Sequence, residues 1–136
     1  MRTLALLAAV ASAFGGGGRA TVSVHASQFG RVLVDGRGFA LYAFTKDPRG
    51  RSTCSGACAA AWPPFVVASR AKAGAGVASS LLGIARRADG TRQVTFRGRP
   101  LYYYVGDRKP GQILCQNVVE FGGTWLVLRG DGTLVR

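Results

Sequence analysis

Residues 31–54, RVLVDGRGFALYAFTKDPRGRSTC, decide the fold because the stretch occurs twice. The second copy, RQVTFRGRPLYYYVGDRKPGQILC, occupies residues 92–115. At an offset of 60 or 61 residues, Val34 matches Val94, Gly38 matches Gly98 and Leu41 matches Leu101. In the same register Tyr42 matches Tyr102, Phe44 matches Tyr104, Asp47 matches Asp107 and Cys54 matches Cys115. Trp62 and Trp125 follow at a similar spacing. Agreement at so many uncommon residue types marks a duplication. An open solenoid needs three or more stacked units, so two copies are expected to pack on each other as halves of one domain.

Each copy reads as a β-hairpin. Val32-Leu33-Val34 and Val94-Thr95-Phe96 are rich in branched residues, and turns follow at Gly36-Arg37-Gly38 and Arg97-Gly98-Arg99. Aromatic strands are then predicted over residues 39–44 and 101–105. Side chains alternate along a strand, so Tyr42 and Phe44 share one face, as do Tyr102 and Tyr104. Working outward, an early strand is expected over residues 21–26, and a last hairpin over residues 124–135 around Gly130-Asp131-Gly132. A short helix is expected over residues 55–61, stopped before Pro63-Pro64. The Ala-, Gly- and Ser-rich residues 68–80 read as the linker between copies. The fold class is mainly β: a small single domain built from two β-hairpin repeats of about 60 residues packed together, with one short helix.

Composition narrows the chemistry. The chain has 136 residues, enough for one small domain, with 18 Lys+Arg against 6 Asp+Glu and a formal net charge of +12. One His (His25) and one Met (Met1) argue against imidazole-built metal sites, most catalytic triads and a His/Met-ligated haem. No phosphate-loop, G-x-S-x-G or EF-hand pattern occurs. No catalytic residue, cofactor or metal site is therefore assigned, and the chain is expected not to be an enzyme. A basic protein is drawn to anionic partners, here an anionic envelope polymer or lipid headgroups. Fifteen of the 18 basic residues are Arg, scattered over loops rather than gathered in one run, so specific nucleic-acid recognition is not expected.

The N-terminus reads as an address. Met1-Arg2, an apolar stretch over residues 4–14 and the small-x-small signal Ala11-Ser12-Ala13 make the pattern of a secretory signal peptide. The signal is placed over residues 1–20 with cleavage near 13 or 20, leaving 21–136 as the secreted two-repeat domain. The run is too short for a transmembrane span. In an oxidising compartment Cys54, Cys58 and Cys115 become candidates for disulfides, and an odd count leaves one thiol over. A Cys54–Cys58 bridge closes a very short loop, whereas a bridge from either to Cys115 closes about 60 residues. Spacing does not choose between these connectivities.

The pattern Tyr-x-aromatic-x-x-Asp, seen as LYAFTKD and LYYYVGD, together with STCSGACAAAWPPF, ADGTRQVTFRGRPLYYY and FGGTWLVL, resembles the bacterial "secreted repeat of unknown function" family of predicted lipoproteins. The resemblance extends from about residue 32 to residue 128 and implies an exported envelope or extracellular protein. It supplies no catalytic residue. Phe14 stands where a lipoprotein carries its lipid-bearing Cys, so a lipid anchor is not expected. Cys54 and Cys58 correspond to the family's CxGxC pair, the candidate disulfide, and Cys115 is an extra thiol.

Three uses of these residues compete. In the first, a non-catalytic domain binds an anionic or planar ligand through its basic surface and the aromatic stripe of Tyr42, Phe44, Tyr102 and Tyr104. In the second, Cys54, Cys58 and Cys115 converge in a thiol redox or metal-handling site. In the third, Asp47 and Asp107 form an acid/base pair across the repeat axis. Against each stands a structural role: aromatic seam packing, a structural disulfide, and aspartates that bond their own turns.

Overall fold

Alternating branched residues in TVSVHAS form β1 (Thr21–Ser27), with Val22 and Val24 turned inward and Ser23 and His25 outward. It pairs antiparallel with β2 (Gly30–Asp35), from Val22 opposite Asp35 to Ser27 opposite Gly30. The computed structural model describes residues 18–136, so residues 1–17, which hold nearly all of the expected signal peptide, lie outside the described residues. Gly18 to Ala20 already belong to the folded body. The Thr21 N–H donates to the Gly18 carbonyl, Ala20 packs on the core, and a Cβ on Gly36 would collide with the Gly18 carbonyl.

The chain continues through β3 (Tyr42–Phe44), helix α1 (Ala57–Ala61), β4 (Val66–Val67), β5 (Lys72–Ala73) and a 3-10 turn at Ser79–Leu81. A second hairpin follows, β6 (Leu82–Arg86) with β7 (Arg92–Phe96), then β8 (Arg99–Pro100), β9 (Val118–Glu120) and β10 (Gly123–Val127). Three small sheets result, ordered β2-β1-β5, β3-β10-β9 and β4-β7-β6, with β8 on β7. The architecture is mainly β, with one short helix, as the repeat pattern implies.

The two halves are interlocked. β3 of the first copy pairs with β10 of the second, Tyr42 opposite Val127, while Tyr102 of the second copy bridges Pro64 of the first. The Leu33 N–H donates to the Leu128 carbonyl at 2.9 Å, and the Val94 N–H to the Phe65 carbonyl at 2.8 Å. Tyr42 and Tyr102 exchange backbone hydrogen bonds of 2.8 and 2.9 Å, which places them on a pseudo-twofold axis. Each copy therefore lends the segment after its Trp to the sheet of the other.

Period-2 alternation along the central segments divides the interior in two. Leu41, Ala43 and Leu101 enter an aliphatic core with Leu33, Val94 and Leu126. Tyr42, Phe44 and Tyr102 enter an aromatic core with Trp62, Trp125 and the Cys54–Cys58 pair. Burial of these side chains drives the packing, at about 25 cal/mol per Å² of apolar surface removed from water.

Residues 68–80 do connect the two copies, and part of the connection is tied to the first sheet: β5 runs parallel to β1, and the Lys72 and Gly74 N–H groups donate to the Ala20 and Val22 carbonyls at 2.8 Å. Two expectations are corrected. The aromatic strands are shorter than expected. The first spans only Tyr42–Phe44, and in the second copy Tyr102 makes bridges while 103–105 leave the ladder. The repeat register also shifts across the turn. Val94 occupies the hydrogen-bonding place of Leu33, not of Val34, because each accepts from the matched Leu101 or Leu41 N–H.

Candidate functional site

The repeated Tyr and Asp side chains meet across the two copies. The Tyr42 hydroxyl donates to Asp107 Oδ2 at 2.8 Å, and the Tyr102 hydroxyl to Asp47 Oδ2 at 2.7 Å. The other carboxylate oxygens hold their own loops. Asp47 Oδ1 accepts from the Thr53 N–H and hydroxyl, and Asp107 Oδ1 from the Leu114 N–H. Burial is the main cause that pushes the Tyr42 and Tyr102 hydroxyls well above the ordinary tyrosine value, reinforced by the facing carboxylates. Burial also raises Asp107, although the hydrogen bonds from Tyr42 and Leu114 oppose it. Each carboxylate thus has both oxygens engaged in structural bonds. Nothing in this arrangement leaves an acid and a base facing a shared substrate.

The aromatic stripe is core. Phe44 stacks on Trp125 at 4.0 Å, Trp125 stacks on Trp62 at 4.1 Å, and Tyr104 lies against Trp62 at 4.8 Å. Tyr42, Tyr102, Trp62 and Trp125 have no exposed surface. Stacking of a planar ligand on them, one of the sequence-level candidates, is corrected: the faces are already covered, and only Tyr104 is partly accessible. Glu120 ties off the indoles, its Oε1 accepting from Trp62 Nε1 and its carbonyl from Trp125 Nε1.

Cys54 and Cys58 are joined in a disulfide, the second cysteine on α1, and Cys115 is free and half-buried. Two of the three sulfurs are consumed, so a three-thiolate site does not form. Among the described residues no group of three or more His, Cys, Asp or Glu side chains is placed to hold a metal ion. Burial pushes the Cys115 thiol up from its ordinary value, despite a hydrogen bond with Tyr104, and Glu120 and Asp107 push it further.

Sequence reasoning missed Asp35, Arg87 and Gln93. Asp35 is buried and accepts from the Arg37 and Phe39 N–H groups, the Arg37 guanidinium and the Tyr103 hydroxyl. Arg87 reaches Ser52 Oγ, Gln93 Oε1 and the Cys54 carbonyl at 2.7–2.9 Å. The available signal for Asp35 was its place before Gly36-Arg37-Gly38, where an aspartate bonds turn amides. Arg87 and Gln93 carried no local signal.

The charge is unbalanced by composition, with 18 Lys and Arg against 6 Asp and Glu. All six carboxylates accept hydrogen bonds from backbone, Thr, Tyr, Trp or Arg37 donors of the chain itself. Among the described residues the single ion pair is Arg37 with Asp35, at 2.9 Å. Among the described residues no other guanidinium or ammonium group forms an ion pair with a carboxylate. No described helix is long and apolar enough to cross a membrane.

Comparison with curated proteins and with solved structures gives no match. A family model described as a secreted repeat of unknown function matches the chain twice, at residues 23–66 and 83–129. The two matches coincide with the two interlocked copies, β1 to β4 and β6 to β10, and cover well over half of the sequence. With its duplicated hairpins, crossed Tyr–Asp pairs and two family matches in tandem, the chain belongs to the family of secreted repeats of unknown function.

Proposed function

We propose that the protein is an exported, non-catalytic domain that associates with anionic components of the cell envelope through its basic surface. The observation that carries this reading is the excess of 18 Lys and Arg over 6 Asp and Glu, with Arg37–Asp35 as the single ion pair among the described residues, which leaves a strongly positive exterior. Such a surface attracts polyanions over about a Debye length, roughly 10 Å at moderate salt. The disulfide fits an oxidising compartment. An export signal within residues 1–20 fits this reading, with cleavage near 13 favoured over 20, because the Ala20 carbonyl holds Lys72 in the first sheet. A thiol redox role is disfavoured, since the free Cys115 lacks the lowered pKa of a reactive thiolate.

The test is co-sedimentation of the secreted protein with phosphatidylglycerol vesicles and, separately, retention on an immobilised polyphosphate, with phosphatidylcholine vesicles as control. Binding to an anionic matrix at about 50 mM NaCl and its loss at about 500 mM is the expected result. Equal binding to the zwitterionic control, or none to either polyanion, would refute the reading.

A further inference from the structure

The geometry points to a phosphate-binding cleft formed by Arg49, Arg97 and Arg99, placed where the loop of one repeat crosses the turn of the other. This rests on the anion-binding reading above and adds its location and ligand chemistry. The cleft is about 210 Å³ and is lined by these three arginines with Phe44, Asp47 and Pro100. It is smaller than the roughly 300–1,000 Å³ of pockets that enclose drug-sized ligands, and it suits one tetrahedral oxyanion.

The arginines are held, yet their donors are largely unengaged. Arg49 lies flat on the turn: a Cβ at Gly98 would sit 2.7 Å from Arg49 Cγ, and the Gly50 N–H donates to the Gly98 carbonyl at 2.7 Å. Its NH1 group reaches the Arg97 carbonyl at 3.4 Å. Arg97 packs its stem over Gly132 and uses Nε on the Asp131 carbonyl at 2.8 Å, leaving both terminal NH2 groups. The half-buried Arg99 side chain makes no hydrogen bond or ion pair. Arg97 also adopts a left-handed backbone, φ 50°, a conformation that glycine adopts more readily than a residue with a side chain. Asp47 also lines the cleft, but its oxygens are turned to Thr53 and Tyr102 and it forms no ion pair with the three arginines, whose combined charge exceeds its own.

The pseudo-twofold supplies an internal comparison. At the matching crossing, the Gly111 N–H donates to the Gly38 carbonyl, and Pro110 packs on Gly38 where Arg49 packs on Gly98. There Arg37, the counterpart of Arg97, is bound by Asp35, and Phe39 stands where the second copy has Arg99. The same backbone junction occurs twice, and only one version presents three guanidiniums that form no ion pair. The larger cleft beside Arg51, Arg86 and Arg87 is less suited, since both terminal nitrogens of Arg87 are committed to Ser52, Gln93 and Cys54. Guanidinium forks match phosphate oxygens in paired, charge-assisted hydrogen bonds, which makes the phosphate group of a mono- or diester the ligand class.

The experiment titrates the secreted protein with pyrophosphate by calorimetry and repeats it with phosphatidylglycerol vesicles, which separates a soluble from a lipid source of the group. The cleft variant Arg49→Gln/Arg97→Gln/Arg99→Gln is compared with an equally charged control, Arg31→Gln/Arg51→Gln/Arg86→Gln. Arg99→Gln alone removes no bond within the fold and guards against misfolding of the triple variant. The expected result is a loss of about tenfold or more in pyrophosphate affinity for the cleft variant, about threefold for Arg99→Gln and little for the control. Equal losses in cleft and control variants, or no loss in Arg99→Gln, would overturn the site while leaving diffuse anion binding intact. Absence of binding by the unsubstituted protein to both probes would remove both.

Discussion

Replacing Tyr42 by Phe removes one oxygen from the pseudo-twofold axis and leaves the ring packing intact. The lost hydroxyl donates to Asp107 at 2.8 Å, and Asp107 is only 7% exposed. A buried hydrogen bond to a charged acceptor is worth about 1.5–3 kcal/mol, and its loss strands a carboxylate oxygen that water reaches poorly. Tyr42→Phe is expected to cost about 2 kcal/mol, which for a domain of this size lowers Tm by roughly 6–12 °C. The symmetric change, Tyr102→Phe, is expected to cost about half as much. Asp47 is less buried than Asp107, keeps two bonds from Thr53, and has the Ser52 hydroxyl close to the vacated position. Urea unfolding followed by tryptophan fluorescence reports directly on the seam, because Trp62 and Trp125 stack there. If Tyr102→Phe proves as costly as Tyr42→Phe, or both cost under about 0.5 kcal/mol, the crossed Tyr–Asp bonds are not the stabilising contacts argued here.

Three further outcomes are expected. Asp107 has its pKa raised mainly by burial, so its contribution is fully present below the ordinary aspartate value and is lost as pH rises through the folded value; Asp107→Asn should flatten stability measured upward from about pH 4. Tyr42, Tyr102 and Tyr103 are all raised, mainly by burial, so stability should fall above about pH 10 by roughly 1.4 kcal/mol per pH unit for each; the absorbance of these three tyrosinates should appear together with unfolding, and only the partly accessible Tyr104 should ionise before it. Reduction of Cys54–Cys58 should cost about 2 kcal/mol from loop closure, and mass spectrometry after alkylation of the native protein should show one slowly modified thiol, Cys115; rapid modification, or none after unfolding, would contradict the assignment.

The sequence displayed the duplication, the strands around Val32–Val34 and Val94–Phe96, and the sharing of faces by Tyr42 with Phe44, because rare residues and period-2 alternation are local signals. It did not display the interlocking. An offset of 60 or 61 residues is the same whether two copies lie side by side or exchange segments. β6 escaped notice because Leu82–Arg86 is an edge strand with one branched residue, Ile84, and follows an Ala- and Gly-rich stretch that suggests a linker. β5 is two residues long and exists only because β1 offers it a partner. For the cleft, Arg49, Arg97 and Arg99 are visible as basic residues, but their convergence depends on a crossing between chain segments almost 50 residues apart.

The reciprocal exchange also sets a kinetic demand. Tyr42 reaches Asp107 across 65 positions and Tyr102 reaches Asp47 across 55, so neither half completes its own sheet. Ordering either one first requires closing a loop of about 60 residues, an entropic barrier that local hairpin formation cannot lower. Such topologies fold in milliseconds to seconds, not microseconds. Late closure also means that neither repeat can finish folding until the whole of the other is available, so the domain matures as one unit and not copy by copy.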